Sequence, residues 1–266
     1  MTNVLVQMDL PLMSSLSSGL TRYLFILLMF MVCLSPVSNA QQLIHNQYVL
    51  TPFESQFVAL REGKPIGHAR LIFSQLPNKL WQLEYESKIS KYFLTDKRNE
   101  TTRYLQMNAT DSQSLPLLPI SYVYHRSGTG PDKVMSITFD HDNNQYMTST
   151  PIDDEVLFPL NLHFDNQLFR IDVPYQLSQG KTEFNYQFIN NRGQTRVYDM
   201  QVINSDTLDL PIGSVEAIKV MIRRTSSSRQ TFAWFAPSLN YHLVRLQQFK
   251  NEQEQGEIQL RVHKSL

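Results

Sequence analysis

The sequence predicts an all-β chain: an antiparallel meander forming a strongly curved sheet or half-open barrel, with one short helix covering or plugging it. Two observations carry that expectation. Apolar and polar residues alternate with period two in run after run, the pattern of half-buried strands. Turn-forming residues separate these runs at short intervals, which links them as hairpins. No solenoid-type repeat and no low-complexity linker divides the chain, so a single β-rich domain over residues 41–266 is expected.

The first forty residues follow a different pattern. Arg22 is followed by twelve uncharged, apolar residues, Tyr23 to Leu34; Pro36 then ends the run and Ser38-Asn39-Ala40 supplies a small-x-small exit. A positive end, a short apolar middle and that exit make a secretory signal peptide over residues 1–40, cleaved after Ala40. A membrane span needs about 20 apolar residues, so the rival reading as an anchor falls short, and no transmembrane anchor is expected after cleavage. The only cysteine, Cys33, lies inside the apolar run, away from a lipoprotein attachment position. The expected mature chain therefore has no cysteine, which excludes structural disulfides and thiolate catalysis. An exported chain without disulfides fits a periplasm.

The strands follow in order. Gln56–Arg61 and His68–Ser74 alternate cleanly and are joined by Arg61–Gly67, where Gly63 can take a positive φ and Pro65 is pre-set for a turn. Trp81, Leu83 and Tyr85 alternate against Gln82, Glu84 and Glu86. Thr101–Met107 and Ile120–Arg126 come next, then the turn Arg126–Asp132, the run Val134–Asp140 and the connector Asp140–Gln145. Phe184, Tyr186 and Phe188 share a face, as do Ile218, Val220 and Ile222; between them lie the turn Asn190–Gln194 and the run Arg196–Val202. Thr231–Phe235 and Tyr241–Phe249 read as two strands meeting at the corner Ala236–Asn240. In the last run Ile258, Leu260 and Val262 are expected to point one way and Glu257, Gln259 and Arg261 the other. One segment breaks the pattern. Phe164, Leu168 and Ile171, spaced by four and three, predict a short amphipathic helix starting after Pro159 and reaching Val173.

Five blocks in this order resemble a known family: Arg61–Phe73, Leu118–Gly128, Ile137–Asn144, Thr207–Val220 and Trp234–Gln248. They are similar to an uncharacterised family of exported proteobacterial proteins, domain of unknown function thirty-one oh eight. The resemblance implies an exported β-rich fold and brings no activity with it.

Charge narrows the partners. The 24 basic and 24 acidic side chains balance, and no block or stripe of like charge appears, so nucleic acid is not expected as a partner. Lys91, Lys97, Arg98 and Arg103 form the densest basic patch, but Asp96 and Glu100 interleave with them, which reads as a solvated strand end. None of the seven histidines forms a His-x-x-x-His pair. Asp140-His141-Asp142 begins like a calcium loop, yet Gln145 stands where glycine is needed and Pro151 where the bidentate glutamate belongs; a hairpin turn fits better. There is no Gly-x-Ser-x-Gly elbow and no Gly-rich phosphate loop. Asp153, Asp154 and Glu155 precede the helical segment, where its dipole favours acidic residues. The chemistry leans away from an enzyme; no cofactor and no metal is expected.

What remains is a binding surface. A strongly curved sheet encloses a concavity able to hold one apolar ligand. The candidate lining residues are Trp81, Tyr85, Tyr122, Tyr124, Phe139, Phe184, Trp234 and Tyr241, each of which can equally be a core residue. The leading expectation is a periplasmic cell-envelope protein that binds a lipid or acyl chain. The alternative is an envelope scaffold that binds a protein partner through a sheet edge. A third is an envelope hydrolase built on His141.

Overall fold

The computed structural model describes residues 48–107, 117–149, 156–159, 164–224 and 228–266. The first half of the chain forms β1 (Phe53–Arg61), β2 (Lys64–Gln75), β3 (Trp81–Lys91), β4 (Leu94–Gln106), β5 (Leu117–Gly128), β6 (Lys133–Asp140), β7 (Gln145–Ser149) and β8 (Val156–Pro159). The second half forms β9 (Phe164–Asp165), the helix α1 (Phe169–Ser178), β10 (Glu183–Ile189), β11 (Thr195–Leu210), β12 (Gly213–Arg224), β13 (Arg229–Ala236), β14 (His242–Lys250) and β15 (Gln253–Ser265). The corner between β13 and β14 is a short 3-10 turn, Pro237–Leu239, so the aromatic-rich run from Thr231 to Phe249 is two strands joined at a proline-marked bend.

All the strands belong to one sheet. From β1 it extends in chain order to β8 on one side; on the other, β1 pairs with β15 and the order runs back to β9. Every pairing is antiparallel except the two-residue contact of β9 with β10. The two edge strands, β8 and β9, are separated by only residues 160–163 of chain. Laid flat, 15 strands at about 4.8 Å spacing would put those edges about 65 Å apart. The link from Pro159 to Phe164 reaches at most about 18 Å. The sheet must therefore curl almost into a full turn, yet β8 and β9 share no ladder among the described residues, so the barrel is not closed.

The ladder registers define the inner face. One row of directly opposed residues runs Met135, Tyr124, Glu100, Tyr85, Leu71, Ser55. A second runs Ala59, Ile258, Leu246, Ala233, Val220, Val202. Gly67 allows β2 and β3 to approach closely: a Cβ there would lie 2.0 Å from the Lys88 carbonyl oxygen. A bulge alters the expected pattern of β15. Phe57 opposes Leu260 while Gln56 opposes Val262, so Arg261 is the extra residue. Val262 therefore leaves the face of Leu260, and His263 stands inward beside Ser55.

The expected helix over Pro159–Val173 is corrected by the structure. Val156–Pro159 is a strand, Phe164 lies in β9, and α1 begins only at Phe169. The Phe164–Leu168–Ile171 spacing is helical, but the Asp165 carboxylate accepts the Gln167 N–H at 2.8 Å, an Asx turn that ends the strand and starts the helix after it. Pro174 removes one hydrogen bond, to the Arg170 carbonyl. The helix continues through it because Val173 and Leu177 fill a buried cluster with Tyr186, Phe188, Val220 and Phe235. Ile171 packs into a separate cluster with Phe57, Leu83, Tyr104 and Leu260. A helix buried on opposite faces sits inside a core. Here α1 plugs the barrel.

Candidate functional site

Midway along the barrel the inner wall holds small residues on four neighbouring strands: Ala59, Ala69, Ser87 and Gly256. With no bulk projecting from them, a chamber of about 490 Å³ remains between that wall and the plug. Tyr85, Met200, Ile222, Leu246 and Ile258 add apolar wall, Glu100, Glu257 and Gln255 line it as polar groups, and Phe169 and Arg170 reach in from α1. The volume falls in the range of about 300–1,000 Å³ usual for small-molecule pockets. A second cavity of about 610 Å³ continues from it toward the end of the barrel that carries the β10–β11 turn. The two share eight lining residues, among them Arg98, Asn166, Tyr198, Thr231 and Gln248, so they form an inner chamber and its mouth.

The mouth is cationic. Arg98, Arg126 and Lys133 line it from one half of the sheet, and Arg192, Arg196, Arg224 and Arg229 from the other; among the described residues Asp96 is the only acid there. Asp96 accepts from Arg98 at 3.0 Å and from Arg126 at 3.2 Å. Burial works to raise its carboxyl, but the hydrogen bonds and charges of these two arginines outweigh that and hold it below the ordinary carboxylate value. Lys133, Arg192, Arg196 and Arg224 make no ion pair among the described residues. The Arg98 side chain is 48% exposed although protein surrounds it, because it stands in the lumen.

Deeper in, polar groups are buried and mostly matched. Asp165 takes the Thr102 hydroxyl at 2.9 Å and the Tyr104 hydroxyl at 3.2 Å. Burial pushes its carboxyl up to about 6, against those hydrogen bonds. Tyr122 donates to Glu100 at 2.7 Å, and burial, with the Glu100 charge second, raises the phenol well above its usual value. Tyr186 donates to Asp172 of the plug at 2.5 Å. The Arg170 guanidinium lies 4.3 Å from the Tyr85 ring centroid and donates to Gln167. Asp165 Oδ2, Asn166 Oδ1, Gln167 Nε2 and Gln176 Oε1 are buried without a protein partner among the described residues.

Of the residues expected to line a cavity, Tyr85 faces the chamber and Tyr124 the mouth. Trp81 is stacked on Phe73 and donates to Gln106. Trp234 donates to Asp206 at 2.8 Å and lies beneath Lys219 and Arg245. Tyr122 is fully buried against Glu100, and Phe139 packs with Tyr146. Tyr241, at positive φ beyond the corner, packs against the second cluster. Phe184 lines only a separate shallow pocket beside Met221. These six line neither chamber nor mouth. Sequence reasoning noted Arg98 only within a basic patch read as a solvated strand end, and passed over the other mouth cations because each lies near the end of a different strand or in a turn. The available signal was position: Arg98, Arg126 and Arg196 occupy inward registers close to their hairpin turns.

Two other constellations are engaged in local hydrogen bonds. The Asp140–Gln145 connector is a hairpin turn closed by Asn143, whose backbone and side chain both donate to Asp140, and the His141 ring donates to the Pro119 carbonyl at 2.7 Å. Ser55 and His263 are 2.9 Å apart, but Ser55 is 1% exposed and lines neither the chamber nor the mouth. Among the described residues no three His, Cys, Asp or Glu side chains gather in metal-binding geometry.

Comparison with known proteins matches this architecture. The chain is similar to the crystal structure of a β-barrel-like protein of the domain of unknown function DUF1849 from Brucella abortus, with a TM-score of 0.56 over 82% of this chain and 98% of that one. At 6% identity the likeness is one of fold alone. No curated protein matches the chain. Residues 95–252, more than half of the chain, match the family described as protein of unknown function DUF3108, and the chain belongs to that family.

Proposed function

We propose that this is a non-enzymatic, exported cell-envelope protein that binds an apolar ligand, a lipid or acyl chain, inside its barrel. The observation that carries the reading is the chamber of about 490 Å³, kept open by Ala59, Ala69, Ser87 and Gly256 and walled by Met200, Ile222, Leu246 and Ile258. The first forty residues, with Arg22, the apolar run and the Ser38–Ala40 exit, support export to a periplasm. Burial of an alkyl chain contributes about 0.8 kcal/mol per methylene, roughly fourfold in affinity. Calorimetric titration with octanol and decanol is expected to show decanol binding about 15-fold tighter. Thr231→Trp, at the junction of chamber and mouth, should abolish both signals while leaving the thermal unfolding transition in place. Equal affinity for the two alcohols would overturn the reading.

A second reading, recognition of an envelope protein, is favoured by a different place from the one the sequence suggested. The sheet edges β8 and β9 offer only four and two residues of strand. At the β3–β4 tip, beside the mouth, Tyr92 and Phe93 are 91% and 88% exposed, with Tyr92 held at a φ of 55°. Adjacent large apolar side chains in water mark a contact surface. A photo-crosslinking residue placed at Phe93 should capture one specific partner in intact cells if this tip docks a protein; a blank would leave lipid binding as the sole reading.

A further inference from the structure

We infer that the ligand is an anionic amphiphile whose phosphate-bearing head is held at the mouth while its alkyl chain occupies the chamber. This rests on the reading of the chamber as an acyl-chain site. The chamber and mouth are continuous and share Arg98, Thr231 and Gln248, so one molecule can span both.

The charge at the mouth is an arrangement, not a by-product of composition, because the whole chain carries equal numbers of acidic and basic side chains. Among the described residues, seven basic side chains nevertheless line one cavity against a single acid. They come from strands and turns on both halves of the sheet, which only the curled fold brings together. The acid, Asp96, is already engaged by Arg98 and Arg126. Lys133, Arg192, Arg196 and Arg224 make no ion pair among the described residues, and Arg196 Nε is a buried donor with no partner. Like charges gathered in a concave site repel one another and raise the local concentration of anions. Six of the seven are arginines, whose planar forks fit phosphate oxygens two at a time. A cavity of about 610 Å³ has room for a head group larger than a bare carboxylate. Below it Met200, Leu246 and Ile258 bring apolar surface into the wall, beside the polar Glu100, Arg170 and Glu257. The lining thus gains apolar side chains away from the mouth, in the sense an amphiphile requires.

The test is calorimetric titration of the purified protein with decyl phosphate, decanol and inorganic phosphate. Decyl phosphate is expected to bind at least tenfold more tightly than decanol, and inorganic phosphate far more weakly than decyl phosphate. Raising the salt should weaken decyl phosphate and leave decanol unchanged. The double variant R196E/R224E should lose at least tenfold for decyl phosphate and keep its affinity for decanol. If that variant does not fold, the salt series on the native chain decides the same question. Equal affinity for decanol and decyl phosphate would overturn the anionic head while leaving the chamber as an apolar site. Binding of inorganic phosphate as tightly as decyl phosphate would make the mouth a free-phosphate site and overturn the amphiphile. Binding of neither alkyl probe would remove the chamber reading itself.

Discussion

Replacing Asp165 by alanine is expected to destabilise the fold by about 3 kcal/mol, whereas asparagine at the same position should make it more stable at neutral pH. Asp165 is 0% exposed, and its Oδ1 alone accepts from the Thr102 hydroxyl, the Tyr104 hydroxyl and the Gln167 N–H. Alanine leaves three buried donors with no acceptor, each costing about 1–3 kcal/mol before relaxation. Asparagine keeps the oxygen and removes the charge. The pH dependence follows from the same burial. The folded carboxyl titrates at about 6 against an ordinary 3.8, because burial disfavours the anion. The folded state therefore holds this proton more tightly than the unfolded chain does. Stability from this group is complete below pH 3.8 and falls as the pH rises to about 6. The loss amounts to roughly 3 kcal/mol. Urea unfolding at pH 4.5, 6 and 8 should show that decline as the difference in stability between the native chain and Asp165→Asn. Equal behaviour of the alanine and asparagine variants would sink this account.

His242 produces the opposite slope. Its ring lies 4.0 Å from Phe53 and 4.8 Å from His263 between centroids, and it is buried. Burial, with the His263 charge a lesser cause, pushes the imidazole down to about 3 from 6.5. The unfolded chain takes up a proton that the folded chain refuses. This contribution is whole above pH 6.5 and is lost progressively as the pH falls toward 3. It reaches roughly 5 kcal/mol at the acid end. His242→Phe preserves the ring packing and cannot protonate, so its acid limb should be flatter than that of the native chain. Between about pH 4 and 6 the two contributions have opposite sign and similar size. Stability over that interval should therefore rise with pH in Asp165→Asn and fall with pH in His242→Phe. Parallel profiles for the two variants would show that neither group governs the titration.

Most of the architecture was legible because its units are local. Alternation at Trp81–Tyr85 or Phe184–Phe188 needs only the neighbouring residues, and Gly63 with Pro65 is enough to mark a hairpin. The β1–β15 pairing was not legible, because nothing in the run from Phe53 to Arg61 specifies a partner at the far end of the chain. The bulge at Arg261 and the delayed start of α1 both depend on groups distant in sequence or on a single side-chain hydrogen bond. The site was obscured for a different reason. A search for large aromatic residues finds what fills a core, as Trp81 and Trp234 do. A cavity is defined by what is small, here Ala59, Ala69 and Ser87, which attract no notice in a sequence. The mouth was hidden by dispersion, since Arg126, Arg196 and Arg224 lie far apart in the chain and meet only when the sheet curls.

The meeting of β1 with β15 in the middle of the sheet also dictates how the molecule assembles. Each hairpin along the chain forms from near neighbours, but the seam that unites the two halves joins Phe53 to Ser265. That contact closes the longest loop in the protein, and non-local pairing of this kind folds slowly, in milliseconds to seconds. Until β15 is in place, β1 and β14 both present unpaired backbone to their surroundings. The natural break in the sheet lies elsewhere, between β8 and β9, where the chain merely crosses from one edge to the other. Were the ends joined and the chain opened at that crossing, the sheet would read in sequence order from one edge to the other. The present connectivity instead makes β15 the clasp that joins the two half-sheets into one lumen.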